Sequence, residues 1–146
     1  MTFSTRGRYA LRLMLDLAQY SPNGWISLKE TAQRQEISAK YLEQIVTPLV
    51  REGLLVTLRG AQGGYRLSRP PAEITAYEVL KASGVNIEPV KCLEAADCHR
   101  RDICLTVGFW EELSRINKEY MQSVTLQDFL SQRFCQAPDP RDFSSL

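Results

Sequence analysis

Residues 27–68 read SLKETAQRQEISAKYLEQIVTPLVREGLLVTLRGAQGGYRLS, and their pattern is the strongest indication of the fold. Its first half holds two helical patterns, each preceded by a serine in an N-cap position. Its second half holds two strand patterns around a glycine-rich loop. Two short helices joined by a tight turn and followed by a hairpin are typical of a winged helix-turn-helix. The sequence therefore predicts such a domain within a mainly α fold.

The two helices of this pair are indicated by their caps and by apolar periodicity. Residues 27–30 have the spacing of a capping box, which predicts a short helix from Leu28 to about Gln35. Ser38 is the N-cap of the second helix. The apolar stripe of that second helix has helical spacing and consists of Leu42, Ile45, Val46 and Leu49.

The polar face of the second helix is the candidate reading surface. It lies opposite the apolar stripe and carries Lys40, Tyr41, Glu43, Gln44 and Thr47. These side chains can hydrogen-bond to phosphates or base edges, but a solvated helix face has the same composition, and both interpretations stay open. Pro48 removes one backbone donor from this helix, so we expect a kink or an early end near Thr47.

The strand patterns predict a hairpin, the wing, with an arginine on each side of its loop. Residues 54–59 alternate, and the alternation places on one face Leu54, Val56 and Leu58. Residues 60–64 read GAQGG, and residues 65–68 supply the returning strand. A glycine-rich tip between Arg59 and Arg66 allows backbone and guanidinium groups to approach a narrow DNA groove. An ordinary mobile hairpin is the alternative.

Charge is distributed unevenly along the 146 residues. Residues 1–70 contain ten Lys/Arg and five Asp/Glu, whereas residues 71–146 contain eight and twelve. The first half is therefore the candidate for binding a polyanion. Arg6, Arg8 and Arg12 stand at the start of a first amphipathic helix, where the helix dipole disfavours cations, so we expect them to have an outside partner such as phosphate.

Three of the four cysteines are clustered. Cys92, Cys98 and Cys104 follow one another with five residues between each pair, and the fourth is Cys135. The chain has no secretory signal pattern and no apolar run near the ~20 residues of a membrane span, so we expect a cytoplasmic protein with no membrane segment and with thiols in place of disulfides. A bound metal or a redox reaction would explain the cluster.

A long amphipathic helix is predicted after the cysteines. Its apolar stripe consists of Phe109, Leu113, Ile116 and Tyr120. A helix of ~20 residues is ~30 Å long, too long for so small a body to cover, so a second copy of the chain is the expected partner, and packing onto its own domain is the alternative. The predicted organisation is a winged helix-turn-helix domain at 1–83, a linker and cysteine loop at 84–105, a dimerisation helix and a short capped helix at 106–131, and a flexible tail at 132–146.

Four motifs in this order resemble the Rrf2 family of bacterial winged-helix transcription regulators, which includes IscR-, NsrR- and CymR-like proteins. The motifs are STRGRYA at residues 4–10, YLEQ at 41–44, RG and GGY within 59–65, and Cys-x5-Cys-x5-Cys before LT and an aromatic helix. The resemblance covers about residues 1–130. It implies a homodimer, joined through the long C-terminal helix, that reads an inverted repeat in double-stranded DNA with half-sites ~34 Å apart.

The resemblance also implies which residues contact DNA. The second helix of the pair would lie in the major groove, where Glu43 can accept from a cytosine amino group, and the wing would reach the minor groove. The candidate DNA-binding residues are Arg8, Ser38, Lys40, Tyr41, Glu43, Gln44, Arg59, Gly60, Gln62, Gly63, Gly64 and Tyr65.

The resemblance implies an iron–sulfur cluster, 2Fe–2S or 4Fe–4S, with Cys92, Cys98 and Cys104 as ligands. Such clusters usually need four ligands. IscR-like proteins place a histidine where this chain has Val107, which has no donor atom, and NsrR-like proteins place an acidic residue where this chain has Arg8. The fourth ligand is therefore unknown, and the nearby candidates are His99, Asp97, Asp102 and Cys135.

The sequence thus predicts a regulator whose DNA binding is modulated by a cluster or by the redox state of three cysteines. In the alternative, the same regulator holds no cluster, and the cysteines are a thiol switch, a zinc site or inert. An enzyme is not expected, because the chain has no Cys-x-x-Cys and no histidine besides His99 to activate a thiolate. A DNA-independent interaction protein is a further alternative.

Overall fold

The computed structural model describes residues 3–94 and 98–135. In chain order the elements are α1 Thr5–Tyr20, α2 Leu28–Gln35, α3 Ala39–Arg51, β1 Leu55–Leu58, β2 Gly64–Leu67, α4 Ala76–Ala82, α5 Val107–Ser123 and α6 Leu126–Leu130. The prediction of a mainly α fold with a winged helix-turn-helix, made by α2, α3 and the β1–β2 hairpin, is confirmed. No helix in the described part of the chain is long and apolar enough to cross a membrane.

The central helix of the core is α1, which packs against α2, α3, α4 and α6. Fully buried side chains of α1 include Leu13, Met14 and Leu17. The apolar stripe of α3 faces them as its periodicity predicts, with full burial of Leu42, Ile45 and Leu49. Removing one such side chain costs about 2–5 kcal/mol, so this packing holds the reading helix on the domain.

A buried carboxylate joins α1 to α2. Asp16 accepts hydrogen bonds from Arg34 Nε at 2.9 Å and Nη2 at 2.7 Å, from Thr31 Oγ1 at 2.9 Å and from Gln35 Nε2 at 3.0 Å. Burial alone would raise the pKa of Asp16, but the hydrogen bonds from Arg34, Gln35 and Thr31 outweigh it and lower the pKa below its ordinary value. The carboxylate therefore stays charged and fixes the two helices to each other.

Of the kink or early end expected near Thr47, the early end was wrong, because the helix continues through Pro48 to Arg51. Pro48 has no N–H, so the usual helical hydrogen bond to the carbonyl of Gln44 cannot form. Arg6 of α1 supplies a donor instead, since its Nη2 lies 3.2 Å from that oxygen. A side chain distant in sequence thus compensates for the proline, which no local pattern could indicate.

The wing is an antiparallel hairpin in which Leu55 pairs with Leu67 and Leu58 with Gly64. Burial does not alternate along this hairpin, and the assignment of Leu54, Val56 and Leu58 to one face stays a prediction. Leu54 and Leu55 are both buried, whereas Val56 and Leu58 are both exposed. β1 is exposed from Val56 to Leu58, whereas Tyr65 and Leu67 of β2 are partly buried against the core.

The chain just before α2 extends the wing. Ile26 and Tyr65 form a β-bridge, with Ile26 N donating to Tyr65 O at 3.1 Å and Tyr65 N to Ile26 O at 2.8 Å. A Cβ at Gly64 would lie 2.4 Å from the Ile26 oxygen, and one at Gly63 would lie 2.0 Å from the Leu58 oxygen. Both glycines are therefore required by close backbone approaches within the wing.

Two capped helix starts, at α4 and α6, face each other across a second bridge. Thr75 and Thr125 pair, with Ala76 N donating to Val124 O at 2.8 Å and Leu126 N donating to Ile74 O at 2.9 Å. Both helices begin with a capping box, and the short capped helix predicted after α5 is present as α6. This pairing attaches the chain that follows α5 to the winged-helix domain, where Leu126 is fully buried.

Candidate nucleic-acid interface and cysteine segment

An open groove of about 700 Å³ lies between α3 and the wing. Six of the predicted DNA-binding residues line it, namely Glu43, Arg59, Gly60, Gly63, Gly64 and Tyr65. A projecting helix beside a hairpin is the shape with which winged helix-turn-helix domains place a helix in the major groove. One wall of this groove is formed by α3 and the other by the wing, and we call it the reading groove.

The exposed face of α3 offers both donors and acceptors. Lys40, Glu43, Gln44 and Thr47 are all exposed. Thr47 Oγ1 donates to the main-chain oxygen of Glu43 at 2.9 Å, which uses its proton and leaves its oxygen as an acceptor. An ammonium, a carboxylate and an amide on one helix face can contact phosphates and discriminate between base edges.

Two other predicted residues of α3 have roles inside the domain. Ser38 caps α3, since its Oγ accepts from Tyr41 N at 3.1 Å. Tyr41 is half-buried, and its ring meets that of Tyr9 edge-on with 5.8 Å between centroids. Gln62 lies at the exposed tip of the wing. A contact between these residues and DNA stays a prediction.

The arginines of α1 have acceptors within the chain. Arg6 donates to two main-chain carbonyls, and Arg12 donates to the side chain and the main chain of Gln35. These contacts use part of each guanidinium, and an outside partner for Arg6 and Arg12 stays a prediction. Arg8 donates from Nη2 to Thr5 Oγ1 at 3.2 Å and lies on a second groove, between α1 and α5, away from the reading groove. Its contact with DNA stays a prediction.

The two arginines of the wing differ in their surroundings. Arg59 lines the reading groove at the start of the loop. Arg66 lies over the ring of Trp25, with 4.3 Å from the guanidinium carbon to the ring centroid. That cation–π contact attaches the wing to the chain before α2 and separates Arg66 in role from Arg59.

Sequence reasoning missed the start of α2 as part of the reading groove. Ser27 and Leu28 border it. The bridge between Ile26 and Tyr65 brings them there, because it holds the residue before Ser27 against the wing. A β-branched residue next to the capping box was the available signal for a short paired segment at this position.

The cysteine segment, residues 92–104, connects the winged-helix domain to α5. Its three cysteines are half-buried and have free thiols. Within residues 3–94 and 98–135, no three His, Cys, Asp or Glu side chains come together as a metal site. Three thiolates suit an iron–sulfur cluster chemically, but the described residues do not assemble them. The donor set therefore fits a cluster only in part.

The candidates for a fourth ligand are scattered. Val107 lies in the first turn of α5 and has no donor atom. His99 and Asp102 are exposed within the cysteine segment, and Cys135 is exposed beyond α6. Asp97 lies outside the described residues. The structure thus leaves the fourth ligand open, as the sequence does.

Cys104 lies three residues before the start of α5, beside the hydroxyl of Thr106. Its Sγ lies 3.3 Å from Thr106 Oγ1. That hydrogen bond lowers the pKa of the thiol, and the backbone groups of Thr106 and Val107 and the nearby charge of Arg100 lower it further. A lower pKa gives a larger fraction of thiolate, which is the form that binds metals and reacts with oxidants.

The linker before the cysteines is fastened to α5. Glu88 accepts from Ser114 Oγ at 2.5 Å and forms an ion pair with Lys118. Burial alone would raise the pKa of Glu88, but the bonds to Lys118 and Ser114 outweigh it and lower the pKa. These contacts, called the Glu88 clasp below, close the base of the cysteine segment, because they join the chain entering it to the helix leaving it.

The apolar stripe of α5 is largely exposed. The exposed fractions are 63% for Phe109, 48% for Ile116 and 56% for Tyr120. The helix packs on its own domain through another face, where Ser114 and Met121 are buried. The alternative in which the stripe packs onto its own domain is therefore wrong for these three residues.

The fold and the reading groove define a winged-helix DNA-binding protein. The chain belongs to the Rrf2 family, whose model, described as an iron-dependent transcriptional regulator, matches residues 3–132. It is therefore a DNA-binding transcription regulator, as the sequence motifs predicted, and its relatives are named as regulators and not as enzymes.

Three relatives illustrate the likeness. IscR of Photorhabdus laumondii is 34% identical over 131 residues, which cover 90% of this chain and 80% of that protein. The solved structure of T. potens IscR has a TM-score of 0.75 and 33% identity over 98% of this chain and 96% of that one. The structure of CymR, the global cysteine regulator of B. subtilis, has a TM-score of 0.71 and 38% identity over 90% and 98%.

Proposed function

We propose that this regulator is a cytoplasmic homodimer that binds an inverted repeat in double-stranded DNA, and that the chemical state of Cys92, Cys98 and Cys104 modulates the binding. The main structural support for this modulation is the Glu88 clasp at the base of the cysteine segment. Because the segment enters from the winged-helix domain and leaves into α5, a change within it alters how that domain sits on the helix.

The exposed stripe of α5 supports the homodimer. Isolated apolar residues on a surface are normal, but an exposed stripe containing Phe109, Ile116 and Tyr120 along one helix favours a partner. An apolar groove of about 400 Å³ between α1 and α5 borders the stripe at Tyr120. A second copy related by twofold symmetry would cover both surfaces and place two α3 helices about one turn of DNA, ~34 Å, apart.

The group that we propose at the cysteines is an iron–sulfur cluster, 2Fe–2S or 4Fe–4S. The iron-dependent description of the family supports it. Cys92, Cys98 and Cys104 would be its thiolate ligands, and the remaining ligand comes from outside this set. Such a group supplies chemistry that responds to oxidants when it is bound.

A thiol switch is the second candidate. The lowered pKa of Cys104 favours it, and so does the likeness to Staphylococcus aureus CymR, which has been solved in an oxidised form. In this case two thiols and one molecule of peroxide would give one disulfide bond and two molecules of water, with the sulfur atoms oxidised and the peroxide reduced. A zinc site meets the same lack of a fourth ligand as the cluster.

Anaerobic purification separates these candidates. We expect visible absorption, and iron and sulfide in comparable amounts, from a cluster-bearing protein. Bound zinc without sulfide would indicate the zinc site. A colourless, metal-free protein that still binds DNA would contradict the cluster and leave the thiol switch.

Selection of binding sites from random duplexes tests the proposed binding to an inverted repeat independently of the cysteines. We expect an inverted repeat whose half-sites are centred about 10 base pairs, or a multiple of this spacing, apart. Enrichment of a single unpaired half-site would contradict binding as a dimer, and no enrichment at all would contradict sequence-specific binding.

A further inference from the structure

The guanidinium of Arg6 joins three parts of the molecule. Its Nη2 donates to the Gln44 carbonyl of α3 at 3.2 Å, and its Nε donates to the Ser83 carbonyl at 2.7 Å. Ser83 is the fully buried C-cap of α4, and Gly84, with φ +77°, ends the winged-helix domain there. One side chain of α1 thus bridges the reading helix and the point where the chain departs for the cysteines.

The bridge to α3 exists because of Pro48. In a helix without proline, the N–H of residue 48 would donate to the Gln44 carbonyl. The hydrogen bond from Arg6 to that oxygen would then be weaker. Pro48 leaves the carbonyl in need of a donor from elsewhere. The same helix carries the exposed side chains of the reading groove, so this carbonyl is a point at which another element can set the position of that helix.

The neighbouring residue of α1 holds the first part of the linker. A Cβ at Gly7 would lie 2.9 Å from Val85 Cγ2 and 3.1 Å from Leu80 Cδ2. A larger residue here would push the side chains of Val85 and Leu80 aside. Both residues therefore contact residues 83–85. Arg6 donates a hydrogen bond to Ser83, and Gly7 packs against Val85.

The linker is held again three residues later, at the Glu88 clasp on α5. Ser114 and Lys118 contact Glu88, and the short covalent linker joins Glu88 to Val85 and Ser83. Val85 lies against Gly7, and the Ser83 carbonyl accepts from Arg6, which also donates to the Gln44 carbonyl.

We infer that Arg6 is a positioning residue that couples the cysteine segment to the reading helix. A change in the segment that shifts the linker moves the Ser83 carbonyl relative to Arg6, and the guanidinium then holds the Gln44 carbonyl in a different place. This inference rests on the proposed function in one respect, since it takes the cysteines as the source of the change.

The first test needs no change at the cysteines. Amide hydrogen exchange of the anaerobically isolated protein is compared between the wild type and Arg6→Met. We expect faster exchange in α3 and in residues 79–85 together, because one side chain serves both. Arg12→Met is the matched control, and should accelerate exchange near Gln35 without affecting residues 79–85. Unchanged exchange in both segments of Arg6→Met would overturn the positioning role.

The second test measures coupling. The dissociation constant for a selected duplex is measured before and after hydrogen peroxide, which oxidises both thiolates and iron–sulfur centres. Allosteric couplings are typically about 5- to 150-fold, and we expect a ratio of this size in the wild type. It should fall to within about twofold of unity in Arg6→Met and in Arg6→Lys, which keeps the charge but loses the planar fork that bridges two carbonyls. Arg12→Lys should keep the wild-type ratio.

The outcomes are distinguishable. A wild type whose affinity does not respond to peroxide contradicts the proposed function, while the exchange experiment still decides the positioning role of Arg6. A responsive wild type whose ratio persists in both Arg6 variants contradicts the coupling by Arg6 alone. If Arg6→Met folds poorly by circular dichroism, adding Pro48→Ala supplies a helical N–H for Gln44. We expect the double variant to regain protection of α3 but not the response to peroxide, and a regained response would contradict the coupling.

Discussion

Ile26 and Tyr65 exchange two main-chain hydrogen bonds, of 3.1 and 2.8 Å, and this bridge holds the wing against the start of α2. It places Tyr65 and the glycines of the loop opposite α3, so the shape of the reading groove depends on it. The space for the bridge is provided by Gly64, whose missing Cβ would lie 2.4 Å from the Ile26 oxygen.

Replacing Gly64 by Ala should break this bridge. The added methyl group meets rigid backbone, so we expect a loss of stability of about 1–3 kcal/mol and a loss of DNA affinity of about tenfold or more as the wing moves. Thermal unfolding and fluorescence anisotropy with a selected duplex measure the two effects. Gly108→Ala is the control, since nothing lies within 4 Å of its added Cβ and alanine favours the helix. Wild-type affinity in Gly64→Ala would show that the bridge does not shape the groove.

Replacing Arg34 by Met should destabilise the domain more than an exposed ion pair would. Asp16 would be left buried with only Thr31 and Gln35 as donors, and removal of one partner from a buried pair costs about 3–5 kcal/mol. Arg51→Met, which removes an exposed contact of 3.6 Å with Glu52, should change stability by less than about 1 kcal/mol. Urea unfolding of both variants gives the comparison, and equal losses would contradict a structural role for the buried pair.

The ion pair between Asp16 and Arg34 predicts that the folded protein loses stability at low pH. The pKa of Asp16 is lower in the folded chain than in the unfolded one, so its contribution is fully present above the unfolded value, about 3.9. It is lost as the pH falls through the folded pKa. Arg34→Met removes the hydrogen bonds that lower the pKa of Asp16 most. The pKa of Asp16 in the folded variant therefore rises, and acid unfolding should begin at a higher pH than in the wild type.

Replacing Arg59 by Ala should weaken DNA binding and reduce its dependence on salt. If Arg59 contacts a phosphate, the slope of log affinity against log salt should fall in magnitude by about 1. Anisotropy titrations over a range of salt concentrations measure the slope. Arg133→Ala, which removes a side chain paired with Asp128 outside the reading groove, should leave the slope unchanged. An unchanged slope in Arg59→Ala would place this arginine away from the phosphates.

Replacing Ile116 by Lys should separate the proposed dimer. The side chain lies within the exposed apolar stripe of α5, and burying an unpaired ammonium between two copies is strongly unfavourable. Sedimentation equilibrium should show a monomer at concentrations at which the wild type is a dimer. Gln122→Lys, an exposed position on another face of the same helix, should remain a dimer. A dimeric Ile116→Lys would move the interface away from this stripe.

Features that depend on neighbouring residues could be predicted from the sequence. The start of α2 at Leu28, the capping boxes of α4 and α6 and the N-cap Ser38 are each completed within three residues. The buried stripe of α3 follows from helical periodicity alone. These elements place the helix-turn-helix and the wing, and hence the position of the reading groove.

Features that depend on distant partners could not be predicted. The continuation of α3 past Pro48 requires Arg6, which lies on another helix, and the burial of Asp16 requires donors from α2. Burial in the wing could not be predicted from alternation, because it depends on which side chains of the hairpin meet the rest of the core. Spacing alone also could not show whether three cysteines converge, since that depends on the path of the segment between them.

Control of DNA binding by the cysteines is tested by the affinity for a selected duplex before and after peroxide, measured for the wild type and for a variant with serine at Cys92, Cys98 and Cys104. We expect the wild-type dissociation constant to change by about 5-fold or more, and that of the triple variant to stay within about twofold. A wild type that does not respond, or a triple variant that responds equally, would contradict control of DNA binding by these cysteines.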